Sequence, residues 1–430
     1  MTDLEQHIQQ TPLADTHEHQ NTFEVMTDRV PDILGFLFDG CYITADLVVA
    51  GADPRDVERL VDPSNPDIAG RFSAIRSAWE RCRHTGYGEG LRLAAKLVYG
   101  IDELTVETLE AARARDAELR APGARLRVLR ELANVEYVQV DNGTWPCAPD
   151  SEAPEFFFSD ISWEAFSNGH VDAKAIHAET GVEVRDLQTL REAMGVIFTK
   201  YAPLAIAVKS QHAYDRTLCW EERSDADAER VLQKQLAGRE ISEAETLCLG
   251  DWCWARGVEL TIEHNLPFKH HTGYYASHST MVLERTRPAN LCPLLLKYPK
   301  ARFVLMHGSY PYGHELRAIA KQFPNVIVDL CWAWSIDPFS VAGFVRRFIH
   351  AVPANKLFVF GGDTVWPVET VGYAAQCRLW LTRALQAEVD EGLLTEAQAM
   401  EIATQVMREN QRAVFDLEGT RSALRAAAAR

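Results

Sequence analysis

The stretch Leu13-Ala14-Asp15-Thr16-His17-Glu18-His19 decides how the rest of the chain is read. Side chains of an extended strand alternate between faces, so His17 and His19 point the same way and can share one divalent ion. Zinc, iron and nickel all accept neutral imidazoles. A His-x-His pair also arises by chance. Its meaning depends on whether later strands bring further ligands to the same place.

Working outward, seven later runs have the texture of strands. They are Val135 to Val140, Phe156 to Phe158, Pro203 to Val208, Leu266 to Gly273, Arg302 to Gly308, Asn325 to Leu330 and Lys356 to Asp363. Several are short apolar runs ending in a polar or small residue, as parallel strands buried on both faces do. Between most of them the apolar residues recur at three- and four-residue steps, which is the helical period. Residues 20–134 are helical in texture, notably Asp53 to Val61, Ile68 to Cys82, Gly88 to Leu97 and Val106 to Leu132. The expected fold is therefore α/β: a (β/α)8 TIM barrel spanning residues 1–430, with a helical insertion at 20–134 after strand one. Phe36-Leu37-Phe38 and Tyr42, at the start of that insertion, are placed to cover a pocket.

In such a barrel the C-terminal ends of all eight strands converge on one mouth. His17 and His19 would arrive there from strand one, Lys209 from strand four, His270 or His271 from strand five, His307 from strand six and Asp363 from strand eight. Alternation lets only one of His270 and His271 face the mouth. Taken singly, His307 reads equally well as a satisfied polar group and Asp363 as a helix cap. Together they form a metal-ligand set. Tyr214, Tyr274, Tyr275, Tyr310, Trp332, Trp334 and Trp366 fall just beyond strand ends, where they line a pocket or simply pack.

Composition narrows the function classes. The chain has 430 residues, 47% apolar and 24% charged, with a net charge of −17. That acidity, with no basic run of five or more, argues against nonspecific nucleic-acid binding. No stretch approaches ~20 apolar residues, so no membrane partner is expected. Met1 to Gln10 is polar, which reads as cytoplasmic. Nine scattered cysteines suggest neither a disulfide framework nor a zinc ribbon. The expected partner is a small-molecule substrate; a homo-oligomer is left open.

Three segments carry a resemblance to a known family. Val208-Lys209-Ser210 with Ala213-Tyr214-x-Arg216, Pro267-x-x-x-His271-Thr272-Gly273, and Leu305-Met306-His307-Gly308-Ser309-Tyr310-Pro311 are similar to the amidohydrolase-2 branch of the metal-dependent amidohydrolase superfamily. Within it the chain resembles the amidohydrolase domains that plants and fungi fuse to a glutamine-synthetase-like domain. The match continues from Asn325-Val326 through Gly362-Asp363 to Glu409-Asn410-Gln411-Arg412-Ala413, and residues 20 to 134 are its least diagnostic part.

The resemblance implies that His17, His19 and Asp363 bind the more buried ion, with His271 and His307 as further ligands if a second is present. It favours His271 over His270. Lys209 would be carboxylated and bridge two ions, or stay unmodified and touch substrate; one-metal members also exist. The cofactor implied is one or two divalent ions, Zn2+ first, with Mn2+ or Fe2+ as alternatives.

The chemistry expected is metal-assisted hydrolysis of a C–N, amide-type bond in a small polar, carboxylate-bearing substrate. Metal-bound water would attack, with Asp363 as general acid and base and His307 and Lys209 as further catalytic groups. Arg216, Tyr214, Tyr310 and Trp334 are the expected substrate contacts, Arg216 by bidentate pairing with a carboxylate. The alternative on the same barrel is a decarboxylase or a uronate-isomerase-like enzyme.

Overall fold

Val326–Asp329 and Phe303–Leu305 are buried at every position, so both faces of these strands must be covered by protein. The computed structural model describes residues 2–40 and 42–429. It shows eight parallel strands, β1 (Leu13–Glu18), β2 (Val135–Val140), β3 (Phe157–Ser162), β4 (Ala205–Ser210), β5 (Phe268–His270), β6 (Phe303–Leu305), β7 (Val326–Asp329) and β8 (Leu357–Phe358). They pair in chain order. The seam between β8 and β1 is closed by the Thr16 N–H on the Phe360 carbonyl at 3.2 Å and the Asp363 N–H on the His17 carbonyl at 3.0 Å. This is a (β/α)8 barrel.

The interior is filled in layers. Ala14, Tyr137, Phe158, Ile206, Val304, Ile327 and Phe358, from seven of the strands, form the lowest. Phe415, Leu417 and Leu424 of the C-terminal segment join that cluster. The alanine- and arginine-rich terminus is thus a helix, Leu417–Ala428, with one face inserted in the core. A polar layer lies above: the buried Lys269 ammonium pairs with Asp160 and donates to Gln139 Oε1 at 3.0 Å and the Thr16 carbonyl at 2.8 Å. This explains why β3 runs on past the expected Phe156–Phe158 into Ser159-Asp160-Ile161-Ser162. Asp160 faces a cation inside the barrel, so a polar residue continues the strand.

Between β1 and β2 every regular element of the described residues is helical, from Phe23–Arg29 to Val128–Leu132. The helix Ile68–Cys82 is N-capped by Asp67, whose side chain accepts from the Gly70 N–H, and it buries Phe72, Ile75 and Trp79. Each such side chain stabilises the packed segment by roughly 1.5–3 kcal/mol. The helix Gly86–Ala94 lies against Pro367–Asp390, the long helix after β8. A Cβ on Gly372 would come within 2.2 Å of the Gly90 carbonyl oxygen, so this backbone approach requires glycine. The helical segment is thereby pressed against the end of β8, beside Asp363.

Candidate metal centre

The candidate ligands are placed by strand ends and the turns that follow them. His17 lies in β1 and His19 just past it; Lys209 is in β4, His271 follows β5, His307 opens the turn after β6, and Asp363 follows β8. His17 Nε2 and His19 Nε2 stand 3.3 and 3.4 Å from the same atom, Asp363 Oδ1. The ligating atoms of these three residues lie within 4.8 Å of one another. The His271 and His307 rings meet at 4.2 Å between centroids, and the Lys209 ammonium nitrogen is 3.4 Å from His17 Nε2. His270 points the other way, its Nε2 accepting from the Trp254 indole at 2.8 Å.

Each outer imidazole has one nitrogen beside a backbone carbonyl. His19 Nδ1 faces the Asp141 oxygen at 2.8 Å, His271 Nε2 the Tyr274 oxygen at 2.8 Å and His307 Nδ1 the Cys331 oxygen at 3.1 Å. An N–H donated there leaves the lone pair on His19 Nε2, His271 Nδ1 and His307 Nε2, the arrangement that fixes metal-ligating histidines. His271 Nδ1, His307 Nε2 and Asp363 Oδ1 are buried and have no hydrogen-bond partner among the described residues. Buried acceptors converging without donors are costly unless a cation joins them. The donor set therefore fits a divalent ion. Cys331 Sγ lies near His307 and Asp363 as well, but His307 approaches Asp363 through Nδ1, at 3.9 Å, and that nitrogen already faces the Cys331 carbonyl.

Electrostatics agree with this. Burial pushes His271 down to about 3 and holds His17 and His307 well below the ordinary imidazole range, so all three are neutral at neutral pH, as metal ligation requires. Burial also lowers Lys209, against the opposing pull of Asp141 and Asp363. For Asp363 burial acts upwards, but His307, His19 and Lys209 outweigh it and the carboxyl is held below its usual range.

A buried network behind the ligands joins β1 to the end of β8. Glu18 accepts from the Thr364 N–H and hydroxyl and, at 3.0 Å, from the Thr370 hydroxyl. Gln20 Nε2 donates to both threonine hydroxyls. A Cβ on Gly362 would fall 2.1 Å from Glu18 Oε1, so Gly362 is what lets this carboxylate sit beside Asp363. Burial pushes Glu18 up to about 7.

The helical segment contributes to the mouth through Tyr42. Its hydroxyl donates to the Asp363 carbonyl at 2.7 Å, and its ring lies 4.3 Å from that of Trp332. Trp332 stands 5.3 Å from the His307 ring, edge to face. Phe36 and Phe38 instead pack on Trp366 and on Phe72 and Trp79.

Two expected substrate contacts are placed elsewhere. Arg216 is buried, and its guanidinium is spent on Asp251 at 2.5 Å and on the carbonyls of Ser167, Thr217 and Cys219. Four of its five N–H donors are thus engaged within the protein. Trp334 is buried with its indole donating to the Val359 carbonyl at 2.7 Å; the neighbouring Trp332 is the indole at the mouth. Tyr214 does reach it, with its ring 4.8 Å from His271 and its hydroxyl accepting from the Ala276 N–H. Tyr310 is half-buried and 6.0 Å from Tyr274.

Residues 219–417 match the Amidohydro_2 family, described as amidohydrolase. That match, over 46% of the chain towards its C-terminus, supports a place in the amidohydrolase superfamily. It is 28% identical over 229 residues to Protein fluG of Emericella nidulans, a stretch that is 50% of this chain and 26% of that protein. The chain thus matches about a quarter of the length of that relative. Uronate isomerase from Thermotoga maritima superposes with a TM-score of 0.78 at 14% identity, over 96% of each chain. Glucuronate isomerase from Caulobacter crescentus gives 0.78 at 15% identity, over 96% of this chain and 93% of that one. At these identities the likeness is one of fold. The fold and the family match indicate an enzyme, and the His/Asp cluster is its candidate metal centre.

Asp141 and Gln211 also stand at the mouth, and the sequence reading does not single them out. Gln211 Nε2 donates to Asp141 Oδ2 and lies 3.3 Å from His19 Nε2. Asp141 follows β2 directly, so the strand-end rule that points to Lys209 applies to it too; the adjoining Asn142-Gly143 is a turn signal that obscures it.

Proposed function

We propose that this enzyme hydrolyses a C–N, amide-type bond in a small polar molecule, with one or two divalent ions held by His17, His19, His271, His307, Asp363 and Lys209. The observation that carries the reading is the convergence of His17 Nε2 and His19 Nε2 on Asp363 Oδ1, at 3.3 and 3.4 Å. When bound, a divalent ion supplies Lewis-acid polarisation of a carbonyl and makes water acidic enough to attack at neutral pH. Nitrogen and carboxylate donors of this kind suit zinc, with manganese and iron as alternatives.

The remaining work falls to the chain. Asp363 takes the proton of the attacking water at Oδ1 or Oδ2 and returns it to the departing nitrogen. Tyr42 and the Glu18–Thr364 network fix the Asp363 backbone while this happens. His307 presents Nε2 to the substrate or ligand side, oriented by the Cys331 carbonyl. Trp332, Tyr214 and Tyr274 limit water at the mouth and offer flat faces to the substrate. Lys209, whose ammonium nitrogen lies in the cluster, is a cation that can meet a substrate anion, should it stay unmodified.

A second reading is favoured by one observation: the uronate isomerases superpose over 96% and 93% of their own lengths. On that reading the same residues move a proton between adjacent carbons and nothing is released. Protein loaded with zinc or manganese should be assayed for amine or ammonia release from N-acyl amino acids and simple amides, and in parallel for interconversion of glucuronate with its keto isomer. Amine release supports the hydrolase. Sugar interconversion without it replaces that reading with the isomerase.

A further inference from the structure

The turn His307-Gly308 has a second side. Behind it, between the helices Gly313–Gln322 and Pro338–Ala351, lies a cavity of about 280 Å³. Its floor is apolar, made by the buried Leu330, Ala333, Val341 and Phe344. Its cationic groups are Arg317 and Arg347, with His314 beside them, and none of its lining residues among those described is acidic.

Both guanidinium groups are largely unspent. Each carries five N–H donors. Arg317 meets His314 Nδ1 at 2.9 Å and lies 5.6 Å over the Phe344 ring, and Arg347 donates to the Gly343 carbonyl of its own helix. Among the described residues no carboxylate is within 4.0 Å of either. The neighbouring acids are engaged elsewhere: Glu315 pairs with Arg287, and Asp337 caps the helix at Ser340. Burial and the like charge of Arg347 both act against the charge on Arg317. Two cations facing one cavity with an apolar floor are stabilised by an anion that brings an apolar body with it.

We propose that this cavity binds a small organic anion, a carboxylate on a short apolar body, with its charge between Arg317 and Arg347 and its body against Phe344 and Val341. The site is separate from the metal centre and borders it at His307-Gly308, whose φ angles are +62° and +56°, and at Tyr310. It does not depend on which reaction the mouth performs.

The test is titration calorimetry of the full chain at low ionic strength with sodium benzoate and, separately, inorganic phosphate, on wild type, Arg317→Met and Arg347→Met. Saturable benzoate binding, weakened about tenfold or more in each variant and exceeding phosphate binding, is the expected result. Benzoate binding that is unchanged in both variants places the ligand at the metal centre and overturns the proposal, as does no saturable binding at millimolar concentration. Phosphate bound in preference and lost in the variants overturns the carboxylate assignment. Arg347 is exposed, so Arg347→Met keeps the test decisive if Arg317→Met fails to fold.

Discussion

The Asp363 carboxylate and the His17 imidazole, from opposite ends of the chain, meet at 3.3 Å, and the Asp363 N–H donates to the His17 carbonyl at 3.0 Å. One pair of residues both closes the barrel seam and brings a carboxylate to the candidate ligands. Barrel closure and site assembly are therefore the same event. Asp363 has a φ of +58°, a left-handed backbone that costs a non-glycine residue about 1–3 kcal/mol. The Tyr42 hydroxyl on its carbonyl and the Glu18 network on the next residue hold it there.

Lys209 is the first residue to test. Its Nζ lies 3.4 Å from His17 Nε2, inside the ligand cluster. Lys209→Met should lower the metal bound per chain, by about one ion if the wild type holds two, while the barrel still folds. Metal analysis of the two proteins side by side reads this directly. Unchanged metal content would leave Lys209 as a substrate contact alone.

Arg216→Met should damage stability and not substrate affinity. Removing the guanidinium strands the buried Asp251 carboxylate, which typically costs about 3–5 kcal/mol. Arg223, paired to the other Asp251 oxygen at 2.9 Å, keeps the cost towards the lower end. Urea unfolding measures the loss. A raised KM in folded protein with unchanged stability would restore Arg216 as a substrate contact.

Tyr42→Phe removes one hydrogen bond to the Asp363 carbonyl and leaves the ring against Trp332. A neutral hydrogen bond contributes about 0.5–1.5 kcal/mol, so kcat should fall roughly two- to twelvefold with metal content unchanged. Full activity would mean that the helical segment does not position Asp363.

Acid should destabilise the fold through His270. Burial pushes its imidazole down to about 3, so below the ordinary value of about 6.5 the unfolded chain takes up a proton that the folded chain refuses. The stability contributed by neutral His270 is full above that ordinary value and is lost as pH falls towards the folded one. One proton of difference gives a slope of about 1.4 kcal/mol per pH unit. His270→Asn should flatten the unfolding free energy against pH by that amount between pH about 6 and about 4. An identical slope in both proteins would contradict the assignment.

Much of this was legible in the sequence because a parallel barrel writes its strands as short apolar runs and its chemistry at their ends. That rule points to His17, His19, His307 and Asp363 and to one of His270 and His271, the family resemblance favours His271, and the structure brings these residues together. The rule fails where a polar side chain continues a strand inwards, as Asp160 does towards Lys269. It is also silent on partners distant in sequence. Nothing near Arg216 announces that Asp251, on a later helix, takes its charge. Nor does the run Trp332-Ala333-Trp334 say which indole faces His307, since a tight turn there, with Trp332 at φ +61°, sets the direction.

The most direct test of the account is the metal content of wild type and Asp363→Asn after growth with zinc, manganese or iron and exhaustive dialysis at neutral pH. Wild type should retain at least one ion per chain. Asp363→Asn, folded by circular dichroism, should retain less than about a tenth of that, because the one carboxylate shared by His17 and His19 has lost its charge. No stoichiometric metal in wild type under any supply, or full retention in Asp363→Asn, would contradict the assignment of this cluster as the metal centre.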